Sequence, residues 1–193
     1  MGKYLLLSWE DLYDETLKLY EKIKKSRYNP DIIIGIARGG WVIARILSDL
    51  MLNPNILSIR ITFYEKVGKR GKKPMLLQDV NVDMSGLKVL IVDDVVDTGE
   101  TMRLAVKVVS SKKTSEIRTA TLHKKPWSKF KPDYYVREVE SWVIYPYEYK
   151  ETMRDIAHEL LEKGYNVEDV IKELVKAGFN KKMIKMFLSD IVE

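Results

Sequence analysis

Cysteine is missing from this 193-residue sequence. Disulfides and thiolate metal sites are thereby excluded, and the composition fits a cytoplasmic protein. No apolar run is long enough to span a bilayer, so no membrane partner is expected. The opening MGKYLLLSWEDL holds a four-residue apolar stretch followed by acids, which is not the pattern of a secretory signal. Internal repeats and low-complexity tracts are absent too. Neither sign of charge dominates, with 33 basic against 28 acidic residues and a formal charge of +5. That is a mixed, solvated surface whose modest positive excess favours anionic ligands, phosphorylated metabolites as readily as nucleic acid.

What is present suffices for one well-cored domain and a small appendage, since 46% of the residues are hydrophobic. KYLLLS reads as a short strand, and Ser8 as the N-cap of a helix with Leu12, Leu17, Leu19, Tyr20 and Ile23 at helical spacing. NPDIIIGIARGG reads as a turn, a buried strand and a glycine-rich break, and WVIARILSDLM as a helix. NILSIRITFYE is strand-like, KVGKRGKKPM a basic loop, LKVLIVDDV the strongest buried strand, and ETMRLAVKVVSSK the helix after it. EIRTATLHKKP, YYVREV and WVIYPYE read as further short strands. Strands alternating with helices predict an α/β domain with a mainly parallel sheet over residues 1–150. Residues 151–193 read as three short helices, with Gly164 and Gly178 at C-cap positions and Asn166 and Asn180 at N-cap positions. A small helical bundle accounts for them; a docking module for a partner or nucleic acid is the sharper alternative.

VLIVDDVVDTGET, residues 89–101, runs a buried strand into carboxylates. In open α/β sheets ligands bind beyond the carboxyl ends of the strands, which is where Asp93 and Asp94 fall. DTGET then opens a helix, whose first backbone N–H groups lack partners and hold phosphate well. Gly99 admits close backbone approach, and Thr98 and Thr101 carry hydroxyl donors. The carboxylates would repel phosphate, so they must face something else, such as sugar hydroxyls, a divalent cation or a developing positive charge. An Asp-rich turn capping the next helix is the simpler account of DTG alone.

The whole stretch resembles the phosphoribosyl pyrophosphate signature of the type I phosphoribosyltransferases. The resemblance implies ribose contacts from Asp93 and Asp94 and a 5′-phosphate loop of Asp97, Thr98, Gly99, Glu100 and Thr101. IIIGIARGGWVIA resembles the family's pyrophosphate loop, implying pyrophosphate contacts from Arg38, Gly39 and Gly40 and a non-proline cis peptide nearby; an RGG alone is more often just a turn. LHKKPWSKFKPDYYVREVESWVIYPYE resembles the base-binding end of the bacterial xanthine-guanine members. It implies that Lys125 donates to a purine O6, that Trp142 stacks on the base and that the Val143 backbone reads its edge, although Trp142 also suits a core or interface position.

Lys125 is preferred to Lys124 because it precedes Pro126. The resemblance spans about residues 3–148. One departure is plain: MLLQDVNVDMSG holds no basic residue where the family places one before its main strand. Lys66, Lys69, Arg70, Lys72 and Lys73 lie earlier, in the basic loop, as candidates to close over the substrate.

The fold implied is that of a type I phosphoribosyltransferase, a mainly parallel twisted sheet flanked by helices, with a small all-α C-terminal extension. The activity implied is transfer of phosphoribose from phosphoribosyl pyrophosphate to a purine base, giving a nucleoside monophosphate and pyrophosphate. Mg²⁺ is the implied cofactor, held mainly by the substrate, and the implied assembly is a homodimer. Asp97 is placed as the general acid/base near purine N7. A 6-oxopurine suits Lys125, a pure donor, better than adenine, whose N6 amino group also donates. Adenine remains open if Lys125 points away. So does a nucleic-acid-binding regulator on the same scaffold, although the intact acid pair and pyrophosphate loop favour an enzyme.

Overall fold

The computed structural model describes residues 4–65 and 72–192. Contacts divide the chain into two units, Tyr13–Glu140 and a smaller one made of Met1–Leu12 with Ser141–Glu193. This differs from the boundary at 150 read from composition. The first strand and the segment 141–150 group with the C-terminal helices.

The larger unit holds the helix α1 (Trp9–Lys25) from Tyr13 onward, β2 (Ile32–Ala37), α2 (Gly39–Leu50), β3 (Ile56–Glu65), β4 (Lys72–Gln78), β5 (Lys88–Val96), α3 (Glu100–Ser110), β6 (Glu116–Lys124) and β7 (Tyr134–Glu138). Its sheet has the order β4-β3-β2-β5-β6-β7. All neighbours run parallel except β4, which returns antiparallel along β3. The near-continuous Ile and Val runs of β2 and β5 are those of strands covered on both faces. On one side Ile32, Ile34, Ile36, Val89 and Ile91 pack with Met102, Ala105 and Val109 of α3. On α2, Ile43, Ala44 and Leu47 are buried.

The chain leaves β2 toward β3 and leaves β5 toward β6, so β2 and β5 flank the point where strand order reverses. Crevices form there, beyond the strand ends. The β2–β5 pairing stops at Gly35↔Val92, whereas β5 stays paired with β6 through Asp93↔Thr121 to Val96↔Lys124. The strand thus runs past the acids, four residues beyond the VLIV run, and the acids lie on the part that has outrun β2.

One expectation fails outright. Residues 72–75 do not belong to a loop, because β4 begins at Lys72 and the β3–β4 hairpin takes them up. Lys66, Lys69 and Arg70 lie outside the described residues.

The smaller unit pairs β1 (Tyr4–Leu6) in parallel with β8 (Trp142–Ile144), in the register Tyr4↔Trp142 and Leu6↔Ile144. The hydroxyl of Tyr149 donates to the Leu7 carbonyl. Three helices follow, α4 (Tyr149–Glu162), α5 (Val167–Lys176) and α6 (Lys181–Val192). Asn166 caps α5, accepting from Asp169 N at 3.0 Å. The apolar stripes of the helices converge on Ile144. Met153, Ile156, Ala157, Val170, Leu174, Phe179, Ile184 and Ile191 form one core with it, and Tyr4 and Leu6 pack against that core. The helices are therefore not a self-contained bundle, since strand residues complete their core. No described helix is long and apolar enough to cross a membrane.

Candidate active site

The site in the larger unit begins with two glycines that bring distant segments together. A Cβ on Gly40 would lie 2.4 Å from the Val92 carbonyl oxygen and 2.7 Å from Asp93 Cα. Only glycine lets the start of α2 close on the end of β5. The RGG turn and the acid pair therefore form one structure. Arg38 sits at the α2 N-cap and is exposed, Gly39 is half-buried, and the Ala37–Arg38 peptide is cis. The α2 N-terminal N–H groups begin beside Asp93, and no acid occupies the first turn of α2.

Asp93 is 9% exposed. Burial, followed by the neighbouring Asp94 charge, holds its carboxyl well above the usual range, and a hydrogen bond from Asp94 N (3.0 Å to Oδ1) pulls the other way. Asp94 is half-buried, and its Oδ1 accepts from Val95 N at 2.7 Å. A buried carboxyl on the part of β5 that outruns β2, beside a second one, suits hydroxyl partners or a cation. Among the described residues no group of three or more His, Asp or Glu side chains could hold a metal ion alone. Two hard oxygen donors fit a Mg²⁺ that keeps most of its ligands from a bound phosphate or from water.

Asp97 and Thr98 are exposed, Gly99 is buried, Glu100 is exposed and Thr101 half-buried. Gly99 caps α3 with φ +88°. The Thr98 hydroxyl accepts weakly from Glu100 N at 3.4 Å. Gly99 has a different neighbour from the ligand-facing one that the motif suggests. A Cβ there would fall 2.3 Å from the Phe130 Cβ, so the turn is braced by the loop after β6. Its left-handed φ and this contact both demand glycine.

That loop starts at the two lysines. Lys124 turns away, with its ammonium 3.0 Å from Glu138 Oε1. Lys125 is held by its backbone N–H on Val96 O (2.9 Å), and its ammonium lies 3.4 Å from the Glu140 carbonyl and 5.6 Å from the Trp127 ring centroid. Burial lowers its pKa, partly countered by the Asp97 charge. The Trp127 indole donates to Asp97 Oδ1 at 2.6 Å. Sequence reading missed both Trp127 and Phe130. The only signal was an aromatic placed directly after the Lys-Pro pair, with nothing to show that it reaches back to residue 97.

Of the predicted residues, Arg38, Gly39, Gly40, Asp93, Asp94, the 97–101 turn and Lys125 all belong to the larger unit, at the carboxyl ends of β2, β5 and β6. Trp142 and Val143 lie on β8 of the smaller unit. Trp142 is exposed and lines a pocket there with Tyr4, Thr152, Asp155, Ile156 and Glu159, while Val143 is buried.

The model of the phosphoribosyl transferase domain matches residues 6–152. The chain belongs to that family. A phosphoribosyltransferase is an enzyme of the glycosyltransferase type, and this one resembles the purine group. The purine phosphoribosyltransferase structure from Pyrococcus horikoshii superimposes with a TM-score of 0.69 at 36% identity, covering 76% of this chain and 94% of that one. A xanthine-guanine phosphoribosyltransferase of Nitratidesulfovibrio vulgaris is 29% identical over 149 residues, 76% of this chain and 85% of its own length. A hypoxanthine-guanine phosphoribosyltransferase of Streptococcus pyogenes is 27% identical over 125 residues, 63% and 69% of the two lengths. The match ends at residue 152, so α5 and α6 lie beyond it.

Proposed function

We propose that this phosphoribosyltransferase serves purine salvage, transferring phosphoribose from phosphoribosyl pyrophosphate to a 6-oxopurine with release of pyrophosphate. The observation that carries the reading is the Gly40–Asp93 contact, which joins an Arg-Gly-Gly turn to a buried acid pair at the reversal of strand order. A ligand bound there meets donors on one side and carboxylates on the other, as pyrophosphate attached to a ribose requires.

Each group then has a task. Arg38 and the amides at the α2 N-terminus, with Gly39 and Gly40, take the charge that pyrophosphate gains as it leaves. Asp93 and Asp94 hold the ribose hydroxyls while the sugar acquires oxocarbenium character. The 5′-phosphate rests on the α3 N-terminus, with Thr98 and Thr101 donating and the backbone of Gly99 and Glu100 shaping the turn. Asp97 takes up and returns the proton that the purine sheds, as a general acid/base. Lys125 donates to O6. Trp142 stacks on the base, and the Val143 backbone reads its edge. Mg²⁺, when bound with the substrate, supplies charge neutralisation to the leaving pyrophosphate. We place the enzyme in the cytoplasm as a homodimer, a state that sedimentation of the purified protein checks.

The test is a panel of hypoxanthine, guanine, xanthine and adenine with phosphoribosyl pyrophosphate and Mg²⁺, followed by pyrophosphate release. Turnover of one or more 6-oxopurines is the expected result. Turnover of adenine alone would overturn the base assignment and leave the transfer reaction standing.

A further inference from the structure

Trp127 has no part in the reaction described so far, and its setting is unusual. The indole is 56% exposed, which for the largest apolar side chain brings little burial energy. Yet it is fixed at two points. Its N–H donates to Asp97 Oδ1 at 2.6 Å, a short bond to a charged acceptor, and its ring lies 5.6 Å from the Lys125 ammonium. The loop that carries it is itself fixed. Lys125 N binds Val96 O at 2.9 Å, Ser128 N closes a turn on Lys125 O at 3.0 Å, and Phe130 fills the space beside Gly99. The indole therefore spans an exposed carboxylate of the β5–α3 turn, Asp97, and a buried lysine at the end of β6, Lys125.

We infer that Trp127 is a positioning residue for Asp97. By occupying Oδ1 it fixes the rotation of the carboxyl and leaves Oδ2 to exchange a proton with the base. By covering Lys125 it keeps the base-facing ammonium and the proton-exchanging carboxyl at a constant separation. This rests on the assignment of Asp97 as the general acid/base. An exposed carboxylate on a turn samples several rotamers, and holding it in one removes that cost from the proton-transfer step.

The experiment is a double-mutant cycle with a geometric control, using hypoxanthine, guanine or xanthine and phosphoribosyl pyrophosphate. Trp127→Phe keeps the ring and removes the donor. It is expected to lower kcat roughly tenfold, the scale of one hydrogen bond to a charged group, with KM for phosphoribosyl pyrophosphate and the melting temperature unchanged. Trp127→His puts its Nε2 at the ring position of indole Nε1 and is expected to restore most of the loss. In an Asp97→Asn background, Trp127→Phe is expected to have no further effect. A tenfold loss that persists in that background, or a Trp127→His variant no better than Trp127→Phe, overturns the positioning role. So does a Trp127→Phe variant faster than wild type, which would make the indole an obstruction. Wild-type kcat in Asp97→Asn alone overturns the Asp97 assignment itself, and this inference with it.

Discussion

Gly40 and Asp93 touch through their backbones, so that a Cβ at position 40 would sit 2.7 Å from Asp93 Cα. The atoms it would strike are main chain, and main chain cannot swing aside as a side-chain tip can. Gly40→Ala should therefore push α2 away from β5 and misplace the leaving-group site against the ribose site. A shift of this order costs about a hundredfold in turnover. Steady-state kcat with phosphoribosyl pyrophosphate is the measurement, and a Gly40→Ala enzyme within a few-fold of wild type would separate the two halves of the site.

Asp93 should make the ligand-free protein less stable as pH rises. Its folded pKa lies above the unfolded value because burial and Asp94 oppose its charge. Between the two values the native state holds the extra proton, so stability falls with rising pH through that window. The window opens near the ordinary aspartate value of about 4 and extends upward. Melting temperatures of wild type and Asp93→Asn, followed from about pH 4 to about pH 7 without ligand, should diverge in favour of the variant. Transfer activity of the variant should fall at the same time. A wild type that gains on the variant as pH rises would contradict the buried-acid description.

Lys125→Ala should narrow the choice of base. Loss of a charged donor to O6 costs about 1.5–3 kcal/mol in kcat/KM for hypoxanthine, guanine or xanthine, and less for adenine. Because burial lowers the lysine pKa, the wild-type preference for 6-oxopurines should also fade at a pH below the ordinary lysine range. An equal loss for all four bases would assign Lys125 to phosphate or to packing.

The C-terminal helices should matter to the base more than their composition suggests. Ile144 of β8 is fully buried in the core that Met153, Ile156, Val170 and Leu174 complete. Met153→Ala should destabilise this core by about 2–5 kcal/mol, and deletion of residues 151–193 should leave β8, with Trp142, unsupported. Base KM and urea denaturation report the two effects. A soluble deletion variant with unchanged base KM would show that β8 holds its place alone.

What the sequence made legible and what it hid follow one physical rule. β2, β5, α2 and α3 are local patterns: uniform aliphatic runs, then small turns, then helical periodicity. Arg38 follows the last residue of β2, as its motif suggests, whereas Asp93 lies within β5, which continues to Val96. β4 was hidden because lysines and Pro74 read as a loop, while its pairing comes from β3, its antiparallel neighbour. The bond from Trp127 to Asp97 joins residues 30 apart, and no periodicity encodes such a contact. The role of Gly99 was legible as a glycine requirement but not as a fit against Phe130.

The parallel pairing of β1 with β8 has a consequence for how the protein is made. The Tyr149 hydroxyl and the Leu7 carbonyl it binds lie 142 residues apart in sequence. β1 is synthesised before the whole larger unit and β8 after it, and among the described strands only β8 pairs with β1. The larger unit is in effect inserted between the two halves of the smaller one. Residues 13–140 can collapse during synthesis, while the register of Tyr4, Leu5 and Leu6 with residues 142–144 can form only once those residues have been made. The smaller unit, and the strand that bears Trp142, can therefore close only late in translation, and a nascent chain halted before β8 would carry a free N-terminal strand edge open to pairing with another chain.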